Sequence, residues 1–533
     1  MKFKTLSLLA SSALILNGCG GGGNSSAPAP APTPPPTSVN IAPVVASPNA
    51  NQTALIGTAF EYDATQNGAT FSDADGDALS YTVSFESAAN GLTASGGIIS
   101  GTPSQTGRLT LIITADDGNG GEVSDEFDIV INSGEPSGKP NILFVITDDQ
   151  GKDASAEYSL SSDVPLTPNF SALATAGIIF DNLWVSPSCS PTRAALISGK
   201  YGHQTNVLAP GHALPTSEIV LQSFLKTEAA TSDYNSALIG KWHLGGNAGV
   251  PNNFGIDYFA GITGGGVQDY FDWDLNINGT TTTSTNYVTS ELTDQAIDWV
   301  SAQSQPWFLW LAYNAPHTPF HLPPADLHAR NLSGTQADIN ANSRAYYLAS
   351  IEAMDTEFGR LMDSLSEETR ENTIVIFIGD NGTPRDVKDQ SVLQNGNKGT
   401  LFQGGVNTPM FVSGAGITRQ GEREAAMVTH TDFFPTIVEL AGGILADYEN
   451  GRSFANLLTA PASSHRNYSF TSDEDGWTIR DATNKLIENN NGTQDLFDLI
   501  ADPGETTDLL NGGANVDAIL ADLNAEADRI LGE

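Results

Sequence analysis

Cysteine is nearly absent from this chain: two residues in 533, Cys19 and Cys189. With at most one possible disulfide, a chain of this length must draw its stability from burial rather than cross-links. Basic residues are scarce as well, 23 Lys and Arg against 62 Asp and Glu, for a formal net charge of −39. That balance excludes nucleic acid as a partner, because phosphate binding needs clustered cations. It keeps an exported protein soluble but repels anionic substrates unless salt screens the field within about 8 Å, so a saline habitat is the expectation. Long apolar runs are also missing. The stretch "LSLLASSALIL" (6–16) is too short for a membrane span, which takes about 20 residues.

That stretch follows Lys2 and Lys4 and runs into "LNGC", the pattern of a secretion signal. Its ending resembles a bacterial lipobox, which implies a lipoprotein signal peptide over residues 1–18, cleavage before Cys19 and lipidation of that thiol. The expectation is an exported, lipid-anchored protein of the periplasm or the outer membrane or cell surface of a bacterium; an ordinary cleaved signal is the alternative. Lipidation would leave Cys189 without an intrachain partner. Residues 19–46 are Gly, Ser, Ala, Pro and Thr with almost no large apolar side chain, which reads as a tether.

Residues 47–132 carry short alternating runs such as "LTLIITAD" between Gly, Asp and Asn clusters, a β-sandwich pattern. The segments "FSDADGDALSYTV", "GIISGTP" and "ADDGNGG" resemble cadherin-like, Ig-type modules of bacterial surface proteins. There Asp73, Asp75, Asp77, Asp116 and Asp117 are calcium candidates, with solvated turn carboxylates as the equal alternative; "DADGD" does not fit an EF-hand. After a linker (133–139), residues 140–444 replace alternation by continuous apolar runs: "NILFVIT", "SALIG", "PWFLWLAY" and "TIVIFIG". Helical stretches separate them, so the reading is an α/β domain with a mostly parallel central sheet flanked by helices. Residues 445–533 read as short antiparallel strands and a final helix, a C-terminal antiparallel subdomain.

In such sheets ligands gather at the carboxyl ends of strands. "NILFVIT" runs into Asp148 and Asp149, and "TIVIFIG" into Asp380 and Asn381. Four hard oxygen donors suit calcium or magnesium rather than zinc; helix caps and turns are the bland alternative. The other candidate is "SPSCSPTRAALISGKY" (186–201). Ser190 suits an N-cap, Pro191 the first helical position and Gly199 the end, placing Cys189 just before a helix N-terminus with Arg193 one turn on. Amides and guanidinium there favour an anion beside a nucleophile. A small apolar filler is the alternative.

"CSPTR" fits the C-x-P-x-R signature of the type I, formylglycine-dependent sulfatases of the alkaline-phosphatase superfamily, which the region from about Lys139 to Glu533 resembles throughout. The resemblance implies that a separate formylglycine-generating enzyme oxidises Cys189 to formylglycine. "ILFVITDDQG" and "IGDNG" match the family's metal motifs, so Asp148, Asp149, Asp380, Asn381 and modified Cys189 become the ligands of a calcium ion, with magnesium possible. "IGKWHLG" brings Lys241 and His243 toward the sulfate and the aldehyde hydrate, "YNAPHTPF" puts His317 near the ester oxygen, and "NKGTLFQGGVNTP" adds Lys398.

The implied reaction is hydrolysis of an alcohol or sugar sulfate, of which a sulfated polysaccharide or oligosaccharide is the expected source. A hydroxyl of the hydrated aldehyde attacks sulfur, Arg193 and the cation acidify it, His317 with Lys398 protonates the departing alcohol, and His243 takes a proton as sulfate leaves. Two alternatives stand: a formylglycine-dependent phosphonate or phosphodiester hydrolase, and an inactive surface glycan-binding lipoprotein. Gln403, Asn407 and Lys200 depart from residues frequent in the family. His203, His212, His430 and His465 receive no role, and His321 and His328 line a cleft only if they are not ordinary packed or surface histidines.

Overall fold

The structure is a computed structural model that describes residues 40–55, 57–86, 89–105, 107–132, 138–247, 249–461, 465–512 and 516–532. The expected signal segment, Cys19 and the expected tether up to residue 39 lie outside the described residues. The chain forms two compact units, the smaller built from residues up to Gln52, Glu61–Gly101 and Leu109–Ile129, the larger dominated by Val130–Glu533.

The smaller unit is all β. Strand Ser80–Phe85 pairs antiparallel with Gly107–Asp116, which lies beside Glu122–Asn132, and Leu92–Ser95 forms a hairpin with Ile98–Gly101. Leu109, Leu111, Ile113 and Ala115 are buried at every second position, which is why this segment reads as alternation. Val44–Val45 already pairs with Phe71–Ser72, so the ordered module reaches into the stretch assigned to the tether. The calcium candidates are turn formers here: Asp73 Oδ1 accepts from the amides of Asp75 and Asp77, Asp116 Oδ1 from Gly118, and Asp117 Oδ1 from Asn119 and Gly121. Carboxylate oxygens of Asp73, Asp75 and Asp77 still lie within 4.8 Å of one another.

In the larger unit five parallel strands form the middle of one sheet: Tyr258–Ile262, Asn235–Lys241, Trp307–Ala312, Asn141–Thr147 and Thr373–Gly379, side by side in that order. Antiparallel strands extend both margins, so the expected parallel sheet is parallel at its centre and mixed at its edges. Asn141–Thr147 is buried at every residue. Ile142, Phe144 and Ile146 enter one core, with residues of helices Cys189–Ser198 and Phe433–Leu440; Leu143 and Val145 enter the other, with residues of Val288–Ser301 and Ser343–Ser364. Both faces are covered, which removes alternation and leaves an unbroken apolar run.

The last part is a four-stranded antiparallel sheet, Ser469–Asp473, Gly476–Arg480, Asn484–Asn489 and Gln494–Asp498, with Leu523 and Ala527 of helix Asp517–Leu531 packed on Phe470, Ile479, Leu486 and Leu496. Among the described residues no helix is long and apolar enough to cross a membrane. Register decides where chemistry can collect. Thr147 is paired with Gly379, and Lys241 with Ile262, so the residues that follow emerge together at the carboxyl edge.

Candidate active site

Asp148 and Asp149 leave one strand where Asp380 and Asn381 leave its neighbour. The Asp380 amide donates to the Thr147 carbonyl (3.0 Å), the Asp149 amide to Asp380 Oδ1 (3.1 Å), and Asn381 Nδ2 to Asp149 Oδ1 (2.8 Å). Asp149 adopts a left-handed backbone (φ 75°), a costly conformation outside glycine that here turns the chain out of the strand. All four residues are buried.

Each carboxylate has a cation. Lys241 Nζ lies 2.6 Å from Asp148 Oδ2, Lys398 Nζ 2.5 Å from Asp149 Oδ1, and Arg193 Nη2 2.8 Å from Asp380 Oδ2. Burial would raise the Asp148 carboxyl, but Lys241, His317, Arg193 and Lys398 hold it well below the usual carboxylate range. Burial and the adjacent Asp148 carboxylate push Asp380 up against the pull of Arg193. Lys398 is raised, Asp149 and Asp148 outweighing its own burial, and stays cationic.

Two oxygens remain. Asp148 Oδ1 and Asn381 Oδ1 are buried without a hydrogen-bond partner among the described residues. Unpaired buried oxygens cost stability unless something absent from the protein satisfies them. Three carboxylates and an amide oxygen in one buried patch fit a hard divalent cation, and the residues that would hold it are Asp148, Asp149, Asp380 and Asn381. His317 joins the rim, its Nε2 3.8 Å from Asp149 Oδ2.

Cys189 differs from its sequence reading in one detail. The helix runs Cys189–Ser198 with Ser188 as N-cap, so Cys189 is its first residue and Ser190 does not cap. The Ser190 hydroxyl instead donates to the His243 carbonyl (2.7 Å) and accepts from the Gly211 amide (2.9 Å). Gly199 ends the helix in the left-handed region, as expected. Cys189 Sγ lies 3.1 Å from His243 Nδ1, and burial pushes the thiol pKa up, so an unmodified Cys189 is a protonated, inert thiol.

Lys241 and His243 both reach the site. The strand ends at Lys241, and His243 is left-handed (φ 53°). Burial, with Lys241 and Arg193 nearby, lowers the His243 pKa to about 3, so its imidazole is neutral near pH 7. Arg193 is 1% exposed and spends three N–H groups on the protein, Nε and Nη2 on Asp380 Oδ2 and Nη1 on the Lys241 carbonyl. It is therefore an anchor for a ligand carboxylate rather than a free anion clamp.

Several supporting residues had no sequence signal. Tyr347 OH donates to the Asp149 carbonyl (2.8 Å), and Thr383 Oγ1 accepts from the Gly151 amide (3.1 Å) while donating to buried Asp153 (2.5 Å), which Arg344 also contacts (3.2 Å). The glycines of "ITGGG" are a signal the sequence reading left unused: an ideal Cβ on Gly265 would lie 2.5 Å from His243 Nε2, and one on Gly266 3.3 Å from the His317 ring. His321 is a packed histidine, stacked on Tyr270 (3.8 Å between centroids) with Nε2 3.1 Å from Tyr287 OH. His430 is buried against Ser186. The site thus joins Asp148, Asp149, Asp380 and Asn381 with Arg193, Lys241 and Lys398, and brings Cys189, His243 and His317 beside them.

The chain is similar to known proteins. The family described as Sulfatase matches residues 140–444, and the He_PIG family of Ig domains matches 42–132. The chain is 29% identical over 363 residues to the uncharacterized sulfatase YdeN of Escherichia coli, covering 57% of this chain and 63% of that one. It is 28% identical over 331 residues to arylsulfatase J of Mus musculus, covering 57% and 53%. It therefore spans less than two thirds of either relative's length. The crystal structure of Ps i-CgsB with k-i-k-neocarrahexaose superposes with a TM-score of 0.62 at 26% identity, over 74% of this chain and 93% of that one.

Proposed function

This chain belongs to the sulfatase family, and from that premise we propose that it hydrolyses sulfate esters of saccharides, with Cys189 oxidised to formylglycine and a calcium or magnesium ion at the strand ends. The observation that carries the reading is Cys189 at a helix N-terminus, 3.1 Å from a neutral histidine and within the field of Lys241, Asp148, Asp380 and Lys398. Its Sγ stands where an oxygen of the hydrated aldehyde would lie. The modification supplies a hydroxyl nucleophile where the buried thiol offers none, and the cation supplies Lewis-acid charge for the sulfate oxygens.

The chain's own residues do the rest. Lys241 and Lys398 present ammonium groups to the non-bridging sulfate oxygens, where charge builds during transfer. Arg193 fixes the Asp380 carboxylate, and Asn381 fixes Asp149. His317 Nδ1 is 2.9 Å from the Thr318 carbonyl, so that nitrogen carries hydrogen, and Nε2 is the position of the transferable proton. His317 protonates the departing alcohol. His243, neutral and against residue 189, takes the hydroxyl proton that must leave as sulfate is expelled.

A saccharide substrate is supported by the likeness to a structure that holds a neocarrahexaose. Export and a lipid anchor at Cys19 complete the reading, placing the enzyme where such polymers are met. The test is mass spectrometry of the Cys189 peptide from protein co-expressed with a formylglycine-generating enzyme, paired with rates on an aryl sulfate and an aryl phosphodiester. The aldehyde and a higher rate on the sulfate are expected. Active protein holding only the thiol would end the proposal, and a higher rate on the phosphodiester would reassign the substrate class.

A further inference from the structure

A cavity of about 740 Å³ opens among residues that serve neither the cation site nor Cys189, in the roughly 300–1,000 Å³ range of ligand sites. Its walls come from stretches just downstream of two catalytic residues, Lys152 after Asp149 and Gln403 to Asn407 after Lys398, closed by Arg423 and Arg480. In a chain with 23 basic residues against 62 acidic ones, four Lys or Arg line this one cavity and Asp181 is its only carboxylate.

The cations are not all neutralised. Arg466 is bound by Asp432, and Arg423 pairs with Asp181. Lys152 Nζ donates to the Asp181 carbonyl (2.5 Å) and lies over the Tyr158 ring face (4.6 Å to the centroid). Arg480, 6% exposed, donates to Asn182 Oδ1 (3.2 Å) and to the carbonyls of Asp481 (2.8 Å) and Ala482 (3.1 Å). Neither forms an ion pair with a carboxylate among the described residues, so a half-buried lysine and a buried arginine face a cavity whose one acid is already engaged. Burial, against the opposing pull of Asp181 and with Arg423 and Arg480 nearby, brings the Lys152 pKa down to about 7.

Gln403 Oε1 and Asn407 Oδ1, on the same wall, are buried without hydrogen-bond partners. They ask for donors, which hydroxyl groups provide and a bare inorganic anion does not. Aliphatic surface completes the lining, with Leu160 and Ile500 45% and 73% exposed. Such surface suits the C–H faces of a sugar ring.

We infer that this cavity is a second, non-hydrolytic binding site for an anionic saccharide unit, its sulfate or carboxylate held by Lys152 and Arg480 and its hydroxyls by Gln403 and Asn407. The inference rests on the saccharide reading of the catalytic site and extends it: a polymer would be gripped at one unit while another is desulfated.

The test uses the full chain with Cys189→Ala to prevent turnover. Equilibrium binding of a sulfated galactose tetrasaccharide, its desulfated counterpart and inorganic sulfate is compared between this parent and versions adding Arg480→Gln or Asn407→Asp. The second substitution sets a carboxylate in the cavity without changing side-chain size and guards against a misfolded arginine variant. Affinity for the sulfated tetrasaccharide is expected to fall at least tenfold in both, with the desulfated sugar weak throughout. Affinities within twofold of the parent in both variants overturn the inference, as does inorganic sulfate binding as tightly as the tetrasaccharide. Aryl sulfate turnover by the Cys189 protein is measured separately. If turnover is absent while binding still depends on Arg480 and Asn407, the catalytic reading fails and the cavity stands.

Discussion

Three consecutive glycines, 264 to 266, offer a graded test of whether His243 works at the distance seen here. None has a left-handed φ, so alanine is permitted by the backbone at each and only space decides the outcome. A Cβ at 264 meets nothing within 4 Å; at 266 it comes 3.3 Å from the His317 ring; at 265 it comes 2.5 Å from His243 Nε2 and 2.7 Å from Cε1. Ordinary contact begins near 3.4 Å, so Gly265→Ala must drive the imidazole back by about 0.9 Å. The ring's other side is the Cys189 contact, at 3.1 Å. A misplacement of about 1 Å at a reacting group costs on the order of 10²-fold, or about 2.7 kcal/mol of barrier. The expected series in kcat on an aryl sulfate is therefore near wild type for Gly264→Ala, a few-fold loss for Gly266→Ala and roughly a hundredfold loss for Gly265→Ala, with melting temperatures nearly alike. Equal losses at 264 and 265, or full activity in Gly265→Ala, would refute the role given to His243.

Removing divalent cations with a chelator is expected to abolish aryl sulfate hydrolysis and lower the melting temperature, because the buried oxygens of Asp148 and Asn381 that no protein group satisfies then lose their partner; the ion that restores activity, calcium or magnesium, names the metal. His317→Gln should slow an alkyl sulfate by about 10²-fold or more yet spare a nitrophenyl sulfate, whose leaving group needs no proton; equal losses would remove His317 from proton transfer. Asp432→Asn breaks a buried pair with Arg466 and should cost about 3–5 kcal/mol at pH 7. Burial would raise the Asp432 carboxyl, but Arg466 holds it below its unfolded value, so its contribution is present above about pH 4 and fades as pH falls through the folded value; the melting-temperature gap between variant and parent should narrow on acidification. The KM for a sulfated oligosaccharide should fall as salt rises from very low to about 0.15 M, screening the repulsion of a chain at −39; tightest binding at the lowest salt would contradict this.

The chain's own pattern disclosed the sheet for a physical reason: strands covered on both faces, such as Thr373–Gly379, have no polar side to encode. The cation residues were legible because each pair directly follows such a run, and parallel register does the rest. What stayed hidden depends on distant partners. Ser190 looked like an N-cap, yet its hydroxyl is claimed by groups 21 and 53 positions away, leaving Ser188 to begin the helix. Arg193 looked free to hold an anion, yet its carboxylate partner lies 187 positions on. The cavity around Lys152 and Arg480 was invisible because each of its polar groups is unremarkable in its own stretch. Only the fold exposes their shortage of counter-charges.

Charge explains why the strand ends need something the polypeptide does not supply. Asp148, Asp149 and Asp380 are matched one for one by Lys241, Lys398 and Arg193, and His243 is neutral, so the catalytic patch has no net charge of its own. A neutral patch in a chain at −39 has no means of drawing in a sulfate ester. Adding lysines would not serve, since each would need its own carboxylate to stay buried and charged. A divalent cation on the unpaired oxygens of Asp148 and Asn381 changes the balance by two charges without adding a side chain, which leaves the patch positive toward an anion and still paired within the protein. The pairing that makes Arg193 unavailable to substrate thereby gains its purpose: it opposes the burial and the Asp148 charge that push the Asp380 carboxyl up, and so favours the carboxylate form that a cation would need.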